Sequence, residues 1–327
     1  MYVLEFAGED DVLATLEAGT AAATVERVAP GLATARELRL DRVSGLAFTR
    51  RASRLIGRTD ASVEAALALL EGVPIDHHRT GTVAVRARDV RGTAGVDGRE
   101  AERALGTDLT DRGFAVDLED PDHELRAVFA DDVCLVGWLE AESVRDYGDR
   151  KPTDKPFFQP GSMDPLLARA LANLAGAAPG RSILDPMCGT GGLLVEAGLV
   201  GARAVGVDVQ RKMVRGARRN LTHYRSGSFD LIRGDATRLP LGGNAVDGVV
   251  FDAPYGRQSK IVGDLEPLVS GALTEAHRVA PRAVVVGDRN WTAAARRAGW
   301  QVAASHERRT HRSLTRHIAI LDRTTNG

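Results

Sequence analysis

The chain has 327 residues, 43% of them hydrophobic and 27% charged, a globular composition with room for two or three domains. No apolar run approaches the roughly 18 residues of a membrane span, and the N-terminus has neither the basic start nor the apolar stretch of a secretory signal. Two cysteines, Cys134 and Cys188, make neither a disulfide framework nor a cysteine-built zinc site, so a cytoplasmic protein with no membrane and no metal is expected.

Along the first half, Val3–Phe6 reads as a strand and Asp11–Ala18 as a helix. A strand at Gly45–Thr49 and a helix at Ser62–Leu70 follow. Val83–Arg88 alternates as a strand, Gly98–Leu109 is helical, and Ala115–Leu118, Leu125–Phe129 and Cys134–Leu139 alternate again. Small α+β units fit this pattern. A polar, proline-containing stretch at 148–156 reads as a linker. Beyond it come strands at Ser182–Leu184, Ala204–Asp208, Phe229–Ile232, Val246–Asp252 and Ala283–Val286, with helices at Gly192–Leu199, Gln210–Leu221 and Thr292–Ala298. Short apolar strands separated by helices predict an α/β, Rossmann-like parallel sheet covered on both faces. Two closing strands, 301–306 and 315–321, are joined by the short Arg308–Ser313 segment, which suits an antiparallel hairpin.

The net charge of −1 conceals a division. Residues 1–150 carry 18 basic and 29 acidic side chains, and residues 151–327 carry 25 and 15, so the second part is better suited to a polyanion.

Asp185-Pro186-Met187-Cys188-Gly189-Thr190-Gly191-Gly192 lies between a buried strand and a helix, where glycines permit a tight turn and the close approach of a ligand. The free N–H groups at the helix start favour an anionic group. Asp208, 17 residues after Gly191 at the end of the second strand, suits a carboxylate gripping two ribose hydroxyls, with Val209 beside it. Asp235, between Gly234 and Ala236 after the third strand, is placed to accept from an adenine amino group. A generic turn or a dinucleotide site is the alternative for the glycines alone. The spacing is not G-x-G-x-x-G, and with Asp185, Asp208 and Asp235 the pattern reads as an S-adenosylmethionine site at the switch point of an open sheet.

Asp252-Ala253-Pro254-Tyr255 follows the fourth strand at the same carboxyl edge. The lone pair of an exocyclic amino group on a base is conjugated into the ring, so it is a weak nucleophile. The Asp252 carboxylate and the Ala253 carbonyl suit acceptors that hold both N–H hydrogens and turn that lone pair outward. Pro254 stiffens the turn, and Tyr255 offers a face on which a flipped base stacks. A strand-ending aspartate followed by a plain loop is the bland alternative. Cys188, with no histidine pattern nearby, reads as a packing residue, although it lies within the cofactor loop.

These two loops together resemble the class I amino-methyltransferases, whose motif is [Asn/Asp]-Pro-Pro-[Tyr/Phe/Trp]. Phe157-Phe158-Gln159-Pro160-Gly161-Ser162-Met163 and His311-Arg312-Ser313-Leu314-Thr315-Arg316-His317-Ile318 resemble segments of the archaeal tRNA guanine-10 N2-dimethyltransferases. Val83–Val90 with Arg91-Gly92-Thr93 and the helix after it is similar to a THUMP RNA-binding domain. The resemblance implies a ferredoxin-like N-terminal segment over 1–50, THUMP over 51–142, a linker over 143–160 and a methyltransferase domain over 161–327. It also implies an enzyme that places one or two methyl groups on the 2-amino group of a tRNA guanosine, at position 10; apart from the resemblance, a monomer is expected. Asp252 and Tyr255 carry over as catalytic and stacking positions, and Phe158–Met163 as the segment closing over the cofactor.

Ala253 departs from the motif's proline and is expected to loosen the turn, easing a second transfer. For RNA contact, Arg86, Arg88 and Arg91 suit a local basic patch, and Arg257 and Lys260 lie just past the catalytic loop. Arg211, Lys212, Arg215, Arg218 and Arg219 are not expected to share one helix face. Methylation of another tRNA position or of rRNA, DNA adenine methylation, and a non-catalytic S-adenosylmethionine-binding RNA chaperone are the competing readings. A metal-dependent nuclease is disfavoured because the 8 histidines show no ligand spacing.

Overall fold

The computed structural model describes residues 1–74, 81–254, 265–311 and 314–324. It divides into two compact units, Met1–Val144 and Arg145–Gly327. No helix among the described residues is long and apolar enough to cross a membrane.

The first unit contains β1 (Tyr2–Phe6), α1 (Asp11–Ala18), β2 (Thr24–Ala29), β3 (Leu32–Arg36), α2 (Leu40–Val43) and β4 (Thr49–Asp60). It continues with α3 (Val63–Glu71), β5 (Thr82–Asp89), α4 (Gly98–Asp111), β6 (Ala115–Val116), β7 (His123–Ala130) and β8 (Val133–Glu142). Its strands form one sheet in the order β2-β3-β1-β4-β8-β7-β5-β6. Leu70, Leu105 and Leu109 from α3 and α4 pack with Leu125, Phe129 and Val136 of the sheet.

The strand expected at Gly45–Thr49 is displaced: β4 starts only at Thr49. The fully buried Glu17 carboxylate accepts the Ala47 and Phe48 amides, each at 2.7 Å, and so takes backbone donors that a ladder would need. The β2–β3 hairpin was not anticipated. It turns at Pro30-Gly31, where Gly31 has φ +76°, a positive value that glycine adopts without strain.

The second unit contains α5 (Pro165–Leu174), β9 (Ser182–Asp185), α6 (Gly192–Leu199), β10 (Arg203–Asp208), α7 (Arg211–His223) and β11 (Phe229–Arg233). Then follow β12 (Gly248–Asp252), α8 (Leu265–Val279), β13 (Arg282–Gly287), α9 (Thr292–Arg297), β14 (Trp300–His311) and β15 (Leu314–Arg323). The sheet order is β11-β10-β9-β12-β13-β15-β14. The first five strands of that order pair in parallel, and β15 runs antiparallel to both β13 and β14. This is the Rossmann-like sheet with a closing hairpin read from the sequence. Strands flanked by neighbours on both sides and helices on both faces must be apolar throughout, and Val249, Val250 and Phe251 are completely buried. One face packs Phe251, Val285 and Leu321 with Leu273 of α8. The other packs Leu194 of α6 with Ala217 and Leu221 of α7.

Helix α7 corrects one expectation. Its five cations, Arg211, Lys212, Arg215, Arg218 and Arg219, are all exposed, while Gly216, Ala217, Asn220 and Leu221 are buried. At about 100° per residue the five fall within an arc of about 120°, so they do share one face.

Glu17→Ala strands two buried amide donors. A loss of about 3 kcal/mol is expected, read as a lower midpoint for the first unit in chemical denaturation, with Glu17→Gln losing less.

Candidate active site

Three strands of the second sheet end in carboxylates at one edge: β9 in Asp185, β10 in Asp208 and β12 in Asp252. β9 lies between the other two, so the outer strands run roughly 10 Å apart. The chain leaving β9 reverses through Gly189 at φ +51° and Gly191 at φ +78°. A β-carbon on Gly191 would lie 3.1 Å from that of Ala217, so a side chain here would press on α7. The Cys188 amide donates to the Val207 carbonyl at 2.9 Å, and the Gly191 amide to the Cys188 carbonyl at 2.7 Å. Pro186, Cys188 and Thr190 are buried. Burial pushes the Cys188 thiol well up, and the charges of Asp185 and Asp208 add to this, so the sulfur is a packing group.

Asp185 is 2% exposed, and its Oδ1 accepts the Met187 amide at 3.0 Å. Burial holds its carboxyl well above the usual carboxylate range. The Met187 amide opposes this, and the negative charges of Asp208 and Asp252 reinforce it. Asp208 accepts the Gly189 amide on Oδ2 at 3.0 Å and the Gln210 amide on Oδ1 at 2.8 Å. Burial raises it and those two amides lower it. Beside it Val209 is 64% exposed, a large apolar group left open at the ligand edge. The Gly234 amide donates to the Asp208 carbonyl at 3.1 Å, and Ala236 is buried. Asp235 is exposed, its Oδ1 holding the Thr237 amide and hydroxyl at 2.8 Å each.

Asp252 is gripped from the far end of the chain. Arg316 Nη1 donates to Asp252 Oδ1 at 2.9 Å and Oδ2 at 2.8 Å. Arg316 reaches it from β15 across the intervening β13, where Asp252 pairs with Val286 and Val286 with Ile318. Burial raises the Asp252 carboxyl to about 6, with Arg316 opposing and Asp288 adding to the rise. Ala253, expected to loosen the loop, donates its amide to the Val286 carbonyl at 2.7 Å, a tie to β13 that a proline could not make. Tyr255, Arg257 and Lys260 lie outside the described residues.

The segment before α5 is packed against the glycine loop. Phe157 exchanges two hydrogen bonds with Asn220 of α7, both at 2.9 Å, and Asn220 Nδ2 also donates to the Thr190 carbonyl at 2.8 Å. Ser162 Oγ lies 3.2 Å from Thr190 Oγ1. Phe158 is 40% exposed, an aromatic ring held at the rim. Within the stretch read as a linker, Arg150 is buried and its Nε donates to Glu196 Oε1 at 2.7 Å. Arg316, Asn220 and Arg150 were not read as site residues. Arg316 and Asn220 each left a signal, as polar groups in buried registers: Arg316 two residues before Ile318 on β15, Asn220 on the buried stripe of α7.

In the first unit Arg86 and Arg88 share a face of β5, with Arg88 exposed and Arg86 donating to the Leu118 carbonyl at 2.6 Å. Arg91 is held inside the unit by Asp11, Nη2 to Oδ1 at 2.5 Å, and by the Gly8 carbonyl at 2.7 Å.

The family model of the RMKL-like methyltransferase domain (UPF0020) matches residues 152–318. The tRNA (guanine(10)-N2)-dimethyltransferase of Methanothermobacter thermautotrophicus is 38% identical over 257 residues, 73% of this chain and 73% of its own. The enzyme of the same name from Pyrococcus abyssi is 29% identical over 82% of both chains. In three dimensions the crystal structure of TrmN from Thermus thermophilus shares the fold, with a TM-score of 0.51 at 23% identity over 99% of each chain. The chain therefore belongs to the RMKL-like methyltransferases and, by its relation to the Methanothermobacter enzyme, to the tRNA (guanine(10)-N2)-dimethyltransferase family.

Proposed function

We propose that the protein methylates the 2-amino group of a guanosine in tRNA, at position 10 and up to twice, with S-adenosylmethionine as donor. The observation that carries this reading is the half-buried, arginine-held carboxylate of Asp252 at the same sheet edge as the glycine loop. The names of the archaeal relatives supply the base, the tRNA position and the second methyl group.

The residues present fit the donor. Glycine at 191 leaves room where a β-carbon would press on Ala217, and Asp208 stands at the neighbouring strand end with the open apolar Val209 beside it. Asp208 serves the ribose hydroxyls and Asp235 the adenine amino group. Phe158 and the packed segment up to Met163 shield the site from water. When bound, S-adenosylmethionine supplies an electrophilic methyl group on a positively charged sulfur. The clustered carboxylates of Asp185, Asp208 and Asp252 favour a cationic ligand on Coulombic grounds.

At the acceptor the work is positioning and electrostatics. Asp252 takes one N–H of the guanine amino group and the Ala253 carbonyl takes the other, which directs the nitrogen lone pair toward the donor. Pro254 and Tyr255 present the flipped base. RNA is held through THUMP-like residues 51–142, where Arg86 and Arg88 face outward from β5. In the second unit, the cationic face of α7 and the cations Arg257 and Lys260 are assigned to RNA phosphates.

Incubation of the protein with unmodified tRNA and labelled S-adenosylmethionine, followed by nucleoside mass analysis, is expected to give N2,N2-dimethylguanosine at position 10. Label on adenine, or on no RNA, overturns the reading. Asp252→Asn is expected to lower the transfer rate by about 100- to 1,000-fold in nucleoside assays at saturating donor.

Only ionised Asp252 accepts from the amino group, so the rate is expected to fall as pH drops through about 6. Asp288 adds to the rise of this carboxyl, while Arg316 opposes it. Arg316→Gln therefore moves the acid limb of the pH–rate profile upward, and the deficit shrinks at high pH. A uniform loss at every pH would instead mark Arg316 as a folding residue.

A further inference from the structure

A guanine presents three N–H hydrogens along one edge, two on the 2-amino group and one on N1. Asp252 and the Ala253 carbonyl take the two on the amino group. The third, left without an acceptor in a site that excludes water, would be costly. After a first transfer the amino group keeps a single N–H, and N1–H is then half of what that edge offers.

Asp288 stands beside Asp252. It follows directly on Gly287, the last residue of β13, and lies two residues beyond Val286, which pairs with Asp252. That offset is one strand spacing sideways and two residues along, roughly 8 Å between α-carbons, and returns the side chain to the face that Asp252 occupies. The charge of Asp288 is felt at Asp252, whose carboxyl it helps to raise. The corner is held in place by its neighbours. Trp291 is 3% exposed and tucks against Gly287, where a β-carbon would stand 2.5 Å from its Nε1. Asn290 Oδ1 accepts the Thr292 amide at 2.8 Å.

The other carboxylates at this edge are engaged. Asp185 is buried and holds the Met187 amide, Asp208 holds the Gly189 and Gln210 amides, and Asp235 holds the Thr237 amide and hydroxyl. Asp288 is 31% exposed, and its one polar contact among the described residues is long, 3.5 Å to Nε of the adjacent Arg289. Its negative charge works against the ionised state that Asp252 needs, so support of Asp252 does not account for it. An acceptor for the base does. We propose that Asp288 accepts the N1–H of the target guanine and so selects guanine over purines whose N1 is unprotonated. The proposal rests on the function proposed above and assigns the choice of base to a residue outside the Asp252–Tyr255 loop.

The test uses the full chain, saturating S-adenosylmethionine, and tRNAs carrying guanosine, 2-aminopurine riboside or 2,6-diaminopurine riboside at the methylated position. All of these bases have the 2-amino group. Both analogues have an unprotonated N1, and they differ from one another at C6. Wild type is expected to favour guanosine in kcat/KM by about a hundredfold or more. Asp288→Asn, whose amide can donate to a bare N1, is expected to slow guanosine and speed both analogues, shrinking that preference by about tenfold or more.

A uniform loss on every base marks Asp288 as a structural residue and overturns the assignment. A gain on one analogue alone overturns it too, because the effect then lies at C6 rather than at N1. Should the asparagine variant fold poorly, the wild-type rates make the comparison. A preference of about a hundredfold over both analogues supports an N1 contact, and rates within about tenfold of guanosine overturn it. If wild type methylates none of these tRNAs, the proposed function itself falls. If it methylates guanosine and Asp288→Asn keeps the full preference, only the Asp288 assignment falls.

Discussion

The pairing of Asp252 with Arg316 ties the end of β12 to the closing hairpin of the second unit. Asp252 lies at the end of a strand whose preceding residues, Val249 to Phe251, have no contact with solvent, and burial pushes its carboxyl above the usual carboxylate range. Arg316 supplies the opposing charge from β15. That pairing gives the closing hairpin a chemical reason. Because β15 inserts between β13 and β14, the last strand of the sequence is only one strand removed from β12, and a residue 64 positions away reaches the site.

The glycine-loop side of the edge is organised by a different device. Residues 150–162 are polar enough to read as a tether, yet they are fastened inward at three points: the Arg150 side chain to Glu196, the Phe157 backbone to Asn220, and the Ser162 hydroxyl to Thr190. Gly216 makes this possible, since a β-carbon there would stand 1.9 Å from the Phe157 ring. The glycine loop is therefore braced from α7 on one side and from the chain preceding α5 on the other, and its shape does not depend on its own glycines alone.

What could be read in advance follows from range. The buried parallel strands, the glycine turn and the carboxylates at successive strand ends are local patterns, and all three lie where periodicity placed them. The Asp252–Arg316 pair is not local, and nothing in the spacing of either residue names the other. Glu17 is hidden for the same reason: a glutamate on a short helix gives no sign that it will hold two amides 30 residues away. Arg150 and Lys155 escaped because charged residues beside prolines ordinarily face water, and here they are buried. The cations of α7 were misjudged by geometry rather than by range, since steps of three and four return to nearly the same face.

The Ala253–Val286 hydrogen bond has a consequence for how this loop is kept in shape. Where the family motif has proline, a ring fixes the backbone and no amide proton exists. Here the same peptide is held as an extra rung of the β12–β13 ladder, so rigidity comes from pairing rather than from a covalent ring. A paired rung opens and closes, and a ring does not. The amide proton of Ala253 therefore exchanges with solvent only as often as the loop parts from β13, a clock for that opening that a proline at this position would remove.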